Sequence, residues 1–185
     1  RDFFDFCARY YHTPLPQILK TAFPNKLQKE PIIATSHHAQ LMDKTSPNTL
    51  VPNEQQKEFI KSVTLGQFNV HALEGVTGSG KTLCYSHLIQ KSLEDYPQGN
   101  ILILVPEISL VENMLLQITR EQSAHIITYH SQLSADNKAK IFSSCPLAKG
   151  CIFITTRSGV FLPIDNLHLV VADEEHDSSY KEENK

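Results

Sequence analysis

The eight residues GVTGSGKT, Gly75 to Thr82, constrain this chain more than any other feature. They satisfy G-x-x-x-x-G-K-[ST] at each fixed position, between a short apolar stretch read as a strand, Val70 to Glu74, and an amphipathic stretch read as a helix, Lys81 to Asp95. The spacing has a chemical reason. Glycines let the backbone turn so that successive N–H groups face phosphate oxygens, and the N-terminus of the following helix adds its partial positive charge. A chance match is expected in on the order of one chain in a hundred of this length, and one set between strand and helix is rarer still. The expectation is a nucleotide site built from Gly75, Val76, Thr77, Gly78, Ser79, Gly80, Lys81 and Thr82. Lys81 would meet the β- and γ-phosphates and the Thr82 hydroxyl would ligate Mg2+.

Such a loop works with a carboxylate from the end of another strand. The stretch HLVVADEEHDSSY, His168 to Tyr180, offers one, because an apolar run read as a strand over Leu167 to Asp173 drives straight into acidic residues. Asp173 stands at the carboxyl end of that strand, where ligands bind in open α/β sheets. It is expected to share Mg2+ with Thr82, and Glu174 to orient or deprotonate an attacking water. A solvated acidic face accounts well for Glu182 and Glu183, but poorly for an aspartate that closes a buried strand.

Between and around these two motifs the chain alternates. Asn53 and Gln56 form a capping-box pattern ahead of Phe59, Ile60 and Val63, which share a helical face. Strands are expected at Ile101 to Pro106, Ile126 to His130 and Cys151 to Thr155, with helices opened by Ser109-x-x-Glu112 and over Ala135 to Phe142. Apolar strands alternating with helices specify an α/β fold with a mostly parallel sheet covered on both faces. Upstream, two short helices are read over residues 2 to 23, the second starting near Thr13-Pro14. From Pro24 to Pro52 the periodicity dissolves into Pro, Ser, Thr, Asn and His, as in a linker.

Composition excludes some classes. With 41% hydrophobic and 20% charged residues the chain is globular rather than disordered, and no apolar run approaches the roughly 20 residues of a membrane span. No leader pattern opens the chain, so a cytoplasmic location without membrane partners is expected. The four cysteines are scattered, with no C-x2-C pair, and read as reduced packed thiols. A net charge of -3 gives no basic footprint, so any case for nucleic acid has to come from motifs.

The motifs supply one. Asp173-Glu174-Glu175-His176 is a D-E-x-H box, and with GVTGSGKT it resembles superfamily 2 helicases. LVPEISL (Leu104 to Leu110), YHSQLS (Tyr129 to Ser134), TTRSGVF (Thr155 to Phe161) and VVADEEHDSSYK (Val170 to Lys181) extend the resemblance to the primosomal replication-restart helicases. ARYYHTPL (Ala8 to Leu15) is similar to a segment that family carries upstream of its motor. The resemblance implies a RecA-like P-loop NTPase lobe at residues 53–185, cut after the D-E-x-H box. A helical segment from an upstream DNA-binding region would occupy residues 1–30, and a linker residues 31–52, where the family's winged helix does not fit. It implies ATP and Mg2+ as ligands, 3'-to-5' unwinding at stalled forks, and help in assembling the primosome. Forked and single-stranded DNA, single-strand-binding protein and primosome proteins are the partners it implies.

Carried over residue by residue, Gln55 is similar to the glutamine that reads the adenine edge, or else an exposed glutamine at a helix start. Glu107, Arg157 and Ser158 fall in motifs that line the DNA track or couple it to the nucleotide, Arg157 being the best suited because a guanidinium can hold a phosphate bidentately, with a surface salt bridge as its lesser alternative. His130 would contact DNA or pack at a strand end, and His176 would link the nucleotide site to the motif that follows. Thr155 and Gly159 depart from the family, which more often has Gly and Ala there in GTRSALF. The strand leading to the family's next motif normally inserts between the phosphate-loop strand and the D-E-x-H strand. That strand, the second motor lobe with its arginine finger, and the family's zinc-binding cysteines are all expected beyond Lys185. Two other classes stay open: a P-loop kinase or small NTPase acting on a metabolite, and a non-enzymatic remnant that binds DNA or primosome partners.

Overall fold

A computed structural model describes residues 2–24, 51–76, 78–122 and 124–180. Most of the expected linker lies outside them. Helices α1 (Asp2–Tyr10) and α2 (Leu15–Ala22) come first, then α3 (Glu54–Ser62) and α4 (Lys81–Asp95). The alternation continues with β1 (Asn100–Leu104), α5 (Ile108–Glu121), β2 (His125–Tyr129), α6 (Ala135–Ser144), β3 (Cys151–Thr155) and β4 (Leu167–Ala172). The four strands form a sheet in the order β2-β3-β1-β4, parallel at every pairing, so the expected α/β architecture is met.

The pleat divides the core in two. Ile101, Ile103, Ile152 and Ile154 face one side, where Tyr85 and Ile89 of α4 and Val111, Met114 and Ile118 of α5 cover them. Leu102, Phe153, Cys151 and Ile127 face the other, under Ile141 and Phe142 of α6. Phe23, just past α2, packs on Phe142 with ring centroids 5.4 Å apart, and Phe4 of α1 stacks near Phe161 at 6.5 Å. The upstream helices are thus seated on the α6 side. At the sheet's amino end the fully buried Asn100 donates to the carbonyls of Ala148 and Asp165 and accepts from the Cys151 N–H, which ties β1 to β3 and to the turn before β4.

Two expectations need correction. Val70 to Glu74 joins no ladder, and Val70 is 83% exposed; only Leu73 packs against the core. An apolar pattern makes a strand only where a partner offers its N–H and C=O groups, and among the described residues β4 pairs with β1 alone. For the same reason β4 is a half-exposed edge rather than a buried strand, with Val170 51% exposed. The second correction concerns α5, which starts at Ile108 with Glu107 in the cap position. Ser109 lies inside the helix, and its hydroxyl donates to Glu107 Oε2 at 3.3 Å instead of capping.

The departure at Thr155 and Gly159 has a steric logic. Thr155 is fully buried at the end of β3, and its hydroxyl donates to the Thr156 carbonyl at 2.7 Å. A Cβ added at Gly159 would fall on the Thr155 side chain. Thr155 therefore occupies the space that an alanine at position 159 would need.

Candidate nucleotide site

The phosphate loop is shaped by its glycines. Gly78 and Gly80 have φ of 81° and 83°, a left-handed conformation that costs other residues a steric penalty. Gly80 also leaves room, since a Cβ there would stand 2.5 Å from Gln56 Nε2. Helix α4 begins at the next residue with no side chain capping it, which leaves its first amides to be met by a ligand. Thr77 lies outside the described residues.

Lys81 joins the loop to the acidic run. Its Nζ donates to the Gly75 carbonyl at 2.9 Å and stands 3.1 Å from Glu174 Oε1. Glu174 has φ of 48°, a conformation costing a residue with a side chain on the order of 1–3 kcal/mol. That turn swings its carboxylate off the line of β4. A cleft of about 310 Å³ lies here, lined by Val76, residues 78–83, Gln117 of α5, Asp173 and Glu174.

Asp173 is held by two tyrosines. The Tyr85 hydroxyl donates to Oδ1 at 3.3 Å, and the Tyr180 hydroxyl donates to the Asp173 carbonyl at 2.9 Å. Burial pushes the Asp173 carboxyl above the usual range; the Tyr85 bond and Lys81 pull it down, and Glu174 pushes it up. Burial and the nearby carboxylates push both tyrosine hydroxyls well up, so they stay protonated and able to donate. Tyr85 reads from the sequence as a core residue. The signal was its hydroxyl, which needs a partner once buried.

The structure therefore brings together Gly75, Val76, Gly78, Ser79, Gly80, Lys81, Thr82, Asp173 and Glu174. The other expected residues sit around this group. Gln55 is exposed on α3, whereas its neighbour Gln56 reaches the loop and donates to the Ser79 carbonyl at 2.9 Å. Arg157 donates to the Ser179 carbonyl at 3.0 Å, in the turn that follows the acidic run, and His176 Nε2 stands 3.6 Å from Glu174 Oε2. Ser158 Oγ is 3.4 Å from Thr156 Oγ1, and Glu107 sits at the cap of α5. His130 follows β2 with its Nδ1 buried and without a partner among the described residues; burial lowers its pKa. None of these six lines the cleft.

The donors suit Mg2+ bound with a nucleotide. Among the described residues no three His, Cys, Asp or Glu side chains gather as a metal cluster. Mg2+ in phosphate sites takes one or two protein oxygens and completes its shell with phosphate and water. Thr82 and Asp173, both at the cleft, are such a pair.

A phosphate loop and a D-E-x-H carboxylate pair at the carboxyl end of a parallel sheet define a helicase-type motor lobe, and comparison with known proteins agrees. The chain belongs to the DEAD/DEAH box helicase family, which matches residues 53–185, and its sheet is that of a RecA-like lobe. Among its relatives is the replication restart protein PriA of Helicobacter pylori, 34% identical over 183 residues covering 95% of this chain. PriA of Rickettsia conorii is 33% identical over 179 residues, and that of Haemophilus influenzae 36% identical over 137 residues covering 74% of the chain. The chain spans 26% of the length of the first two relatives and 18% of the third. Among the described residues no helix is long and apolar enough to cross a membrane.

Proposed function

We propose that the complete protein carrying this chain is an ATP-dependent DNA helicase of replication restart, moving 3'-to-5' and helping to assemble a primosome. The observation that supports this most is the Lys81–Glu174 pair at 3.1 Å, which joins the phosphate loop to the D-E-x-H box. In the proposed cycle the ATP phosphates replace Glu174 as the partner of Lys81. The freed carboxylate then orients a water and takes its proton as the oxygen attacks the γ-phosphorus in line and the bond to the bridging oxygen of ADP breaks. Mg2+, held by Thr82 and Asp173, would neutralise charge developing on the phosphates.

Gln55 is proposed to read the adenine edge. Glu107, His130, Arg157, Ser158 and His176 are proposed to meet DNA or to couple it to the nucleotide, with Arg157 suited to a bidentate phosphate contact. A transition-state arginine, by the resemblance, belongs to a second lobe. Such a group supplies on the order of 10³–10⁵ in rate, so residues 1–185 alone are proposed to bind nucleotide weakly and turn it over slowly.

The reading is tested by steady-state ATP hydrolysis of the complete protein with and without forked DNA. Hydrolysis should rise at least about ten-fold with DNA, a saving of roughly 1.4 kcal/mol in the barrier. ATP turnover indifferent to DNA, with the γ-phosphoryl group transferred to a small molecule rather than to water, would place the protein among P-loop kinases instead.

A further inference from the structure

We propose that Tyr85 is a positioning residue for the metal ligands Thr82 and Asp173, a role that rests on the nucleotide reading above. Thr82 and Tyr85 stand three residues apart on α4 and so share one face of that helix. From that face the Tyr85 hydroxyl donates to Asp173 Oδ1 at 3.3 Å, just past the end of β4. One bond therefore ties the helix that carries the Thr82 hydroxyl to the residue that carries the partner carboxylate.

The backbone of Asp173 is already fixed. Its N–H donates to the Leu104 carbonyl at 2.9 Å, which continues the pairing of β4 with β1, and its own carbonyl accepts from Tyr180 at 2.9 Å. What those two bonds leave open is rotation of the side chain about its own torsions. The Tyr85 hydroxyl restrains that rotation from a rigid base, because its ring is 8% exposed and belongs to the core cluster with Ile89, Ile101 and Val111. A phenylalanine would fill the same core space, so the hydroxyl is the part that packing does not require. An ionised carboxylate accepts at about four positions, so the bond from Tyr85 leaves lone pairs for a cation. Partners that orient metal-ligating carboxylates in this way are worth about 10–100-fold in metal affinity.

Tyr85→Phe removes the hydroxyl and keeps the ring in the core. ATP binding to the complete protein is measured by calorimetry with Mg2+ and again in EDTA, and the ratio of the two Kd values is the metal's share of the affinity. Tyr85→Phe is expected to cut that share about ten-fold or more, while its Kd in EDTA stays within about two-fold of wild type. On an Asp173→Asn background, which already lacks the charged ligand, the same change should alter the share by less than about two-fold, because the role acts through that carboxylate. The inference is overturned if the share in Tyr85→Phe stays within about two-fold of wild type while the melting temperature falls, the result for a bond that serves stability alone. It is equally overturned if affinity in EDTA falls as far as affinity with Mg2+, since the change would then act on the loop or the fold. Lys81→Ala separates the two readings. If wild type gains from Mg2+ and Lys81→Ala loses ATP, a silent Tyr85→Phe sinks only the role of Tyr85; if wild type binds no nucleotide, both readings fall.

Discussion

Asp173→Asn is expected to cut ATP hydrolysis by at least about 10²-fold while raising the melting temperature of the metal-free protein. The loss follows from removing a charged Mg2+ ligand, since even groups that merely orient metal ligands are worth about 10–100-fold. The gain in stability follows from burial. The folded state pushes the Asp173 carboxyl above its ordinary value, so it binds that proton more tightly than the unfolded chain does. Its contribution to stability is complete below the unfolded value and is lost as pH rises through the raised one. At neutral pH the ionised carboxylate is a cost that the folded protein carries for function. An asparagine keeps an Oδ1 to accept from Tyr85 and removes the charge. Thermal unfolding in a chelator should show the variant's advantage growing from pH 4 to pH 8, and Mg2+·ATP should stabilise wild type but not the variant. A variant that melts below wild type at every pH would mean that Asp173 is a structural anchor instead.

Gly159→Ala should be among the most destabilising single changes in the lobe, at about 3 kcal/mol, because the added methyl falls on a fully buried Thr155 held in the β3 ladder. The rescue is specific. Thr155→Gly alone should cost about 2 kcal/mol through lost packing and strand propensity, whereas the double variant, in which the smaller residue at 155 makes room for the methyl at 159, should be far better than the sum of the singles. A double-mutant cycle in urea should give a favourable coupling of about 1–3 kcal/mol. Strict additivity would show that the two positions do not share that space.

Much of this molecule could be read before its structure. The phosphate loop is local chemistry, so its residues, the start of α4 at Lys81 and the capping box at Asn53 all follow from a few neighbours in sequence. The alternation of β1 and β3 reads directly as two core faces. The failures share a cause. Val70 to Glu74 carries a strand-like pattern, but a strand is completed by partners that its own residues do not encode. Ser109 matched a cap pattern, yet the chain had already turned helical at Ile108. Tyr85, Gln56 and Tyr180 escaped notice as site residues because each carries an ordinary structural role on its own element, and only the fold brings their polar ends to Asp173 and Ser79.

The central claim is that Lys81, Asp173 and Glu174 form one nucleotide site. Calorimetric titration of Mg2+·ATP into the complete protein, wild type against Lys81→Ala, tests it most directly. Loss of a charge-assisted contact to phosphate, about 3 kcal/mol, predicts that the variant binds at least about 100-fold more weakly. Equal affinity in the two proteins would contradict the assignment of the loop, and with it the account of Asp173 and Glu174.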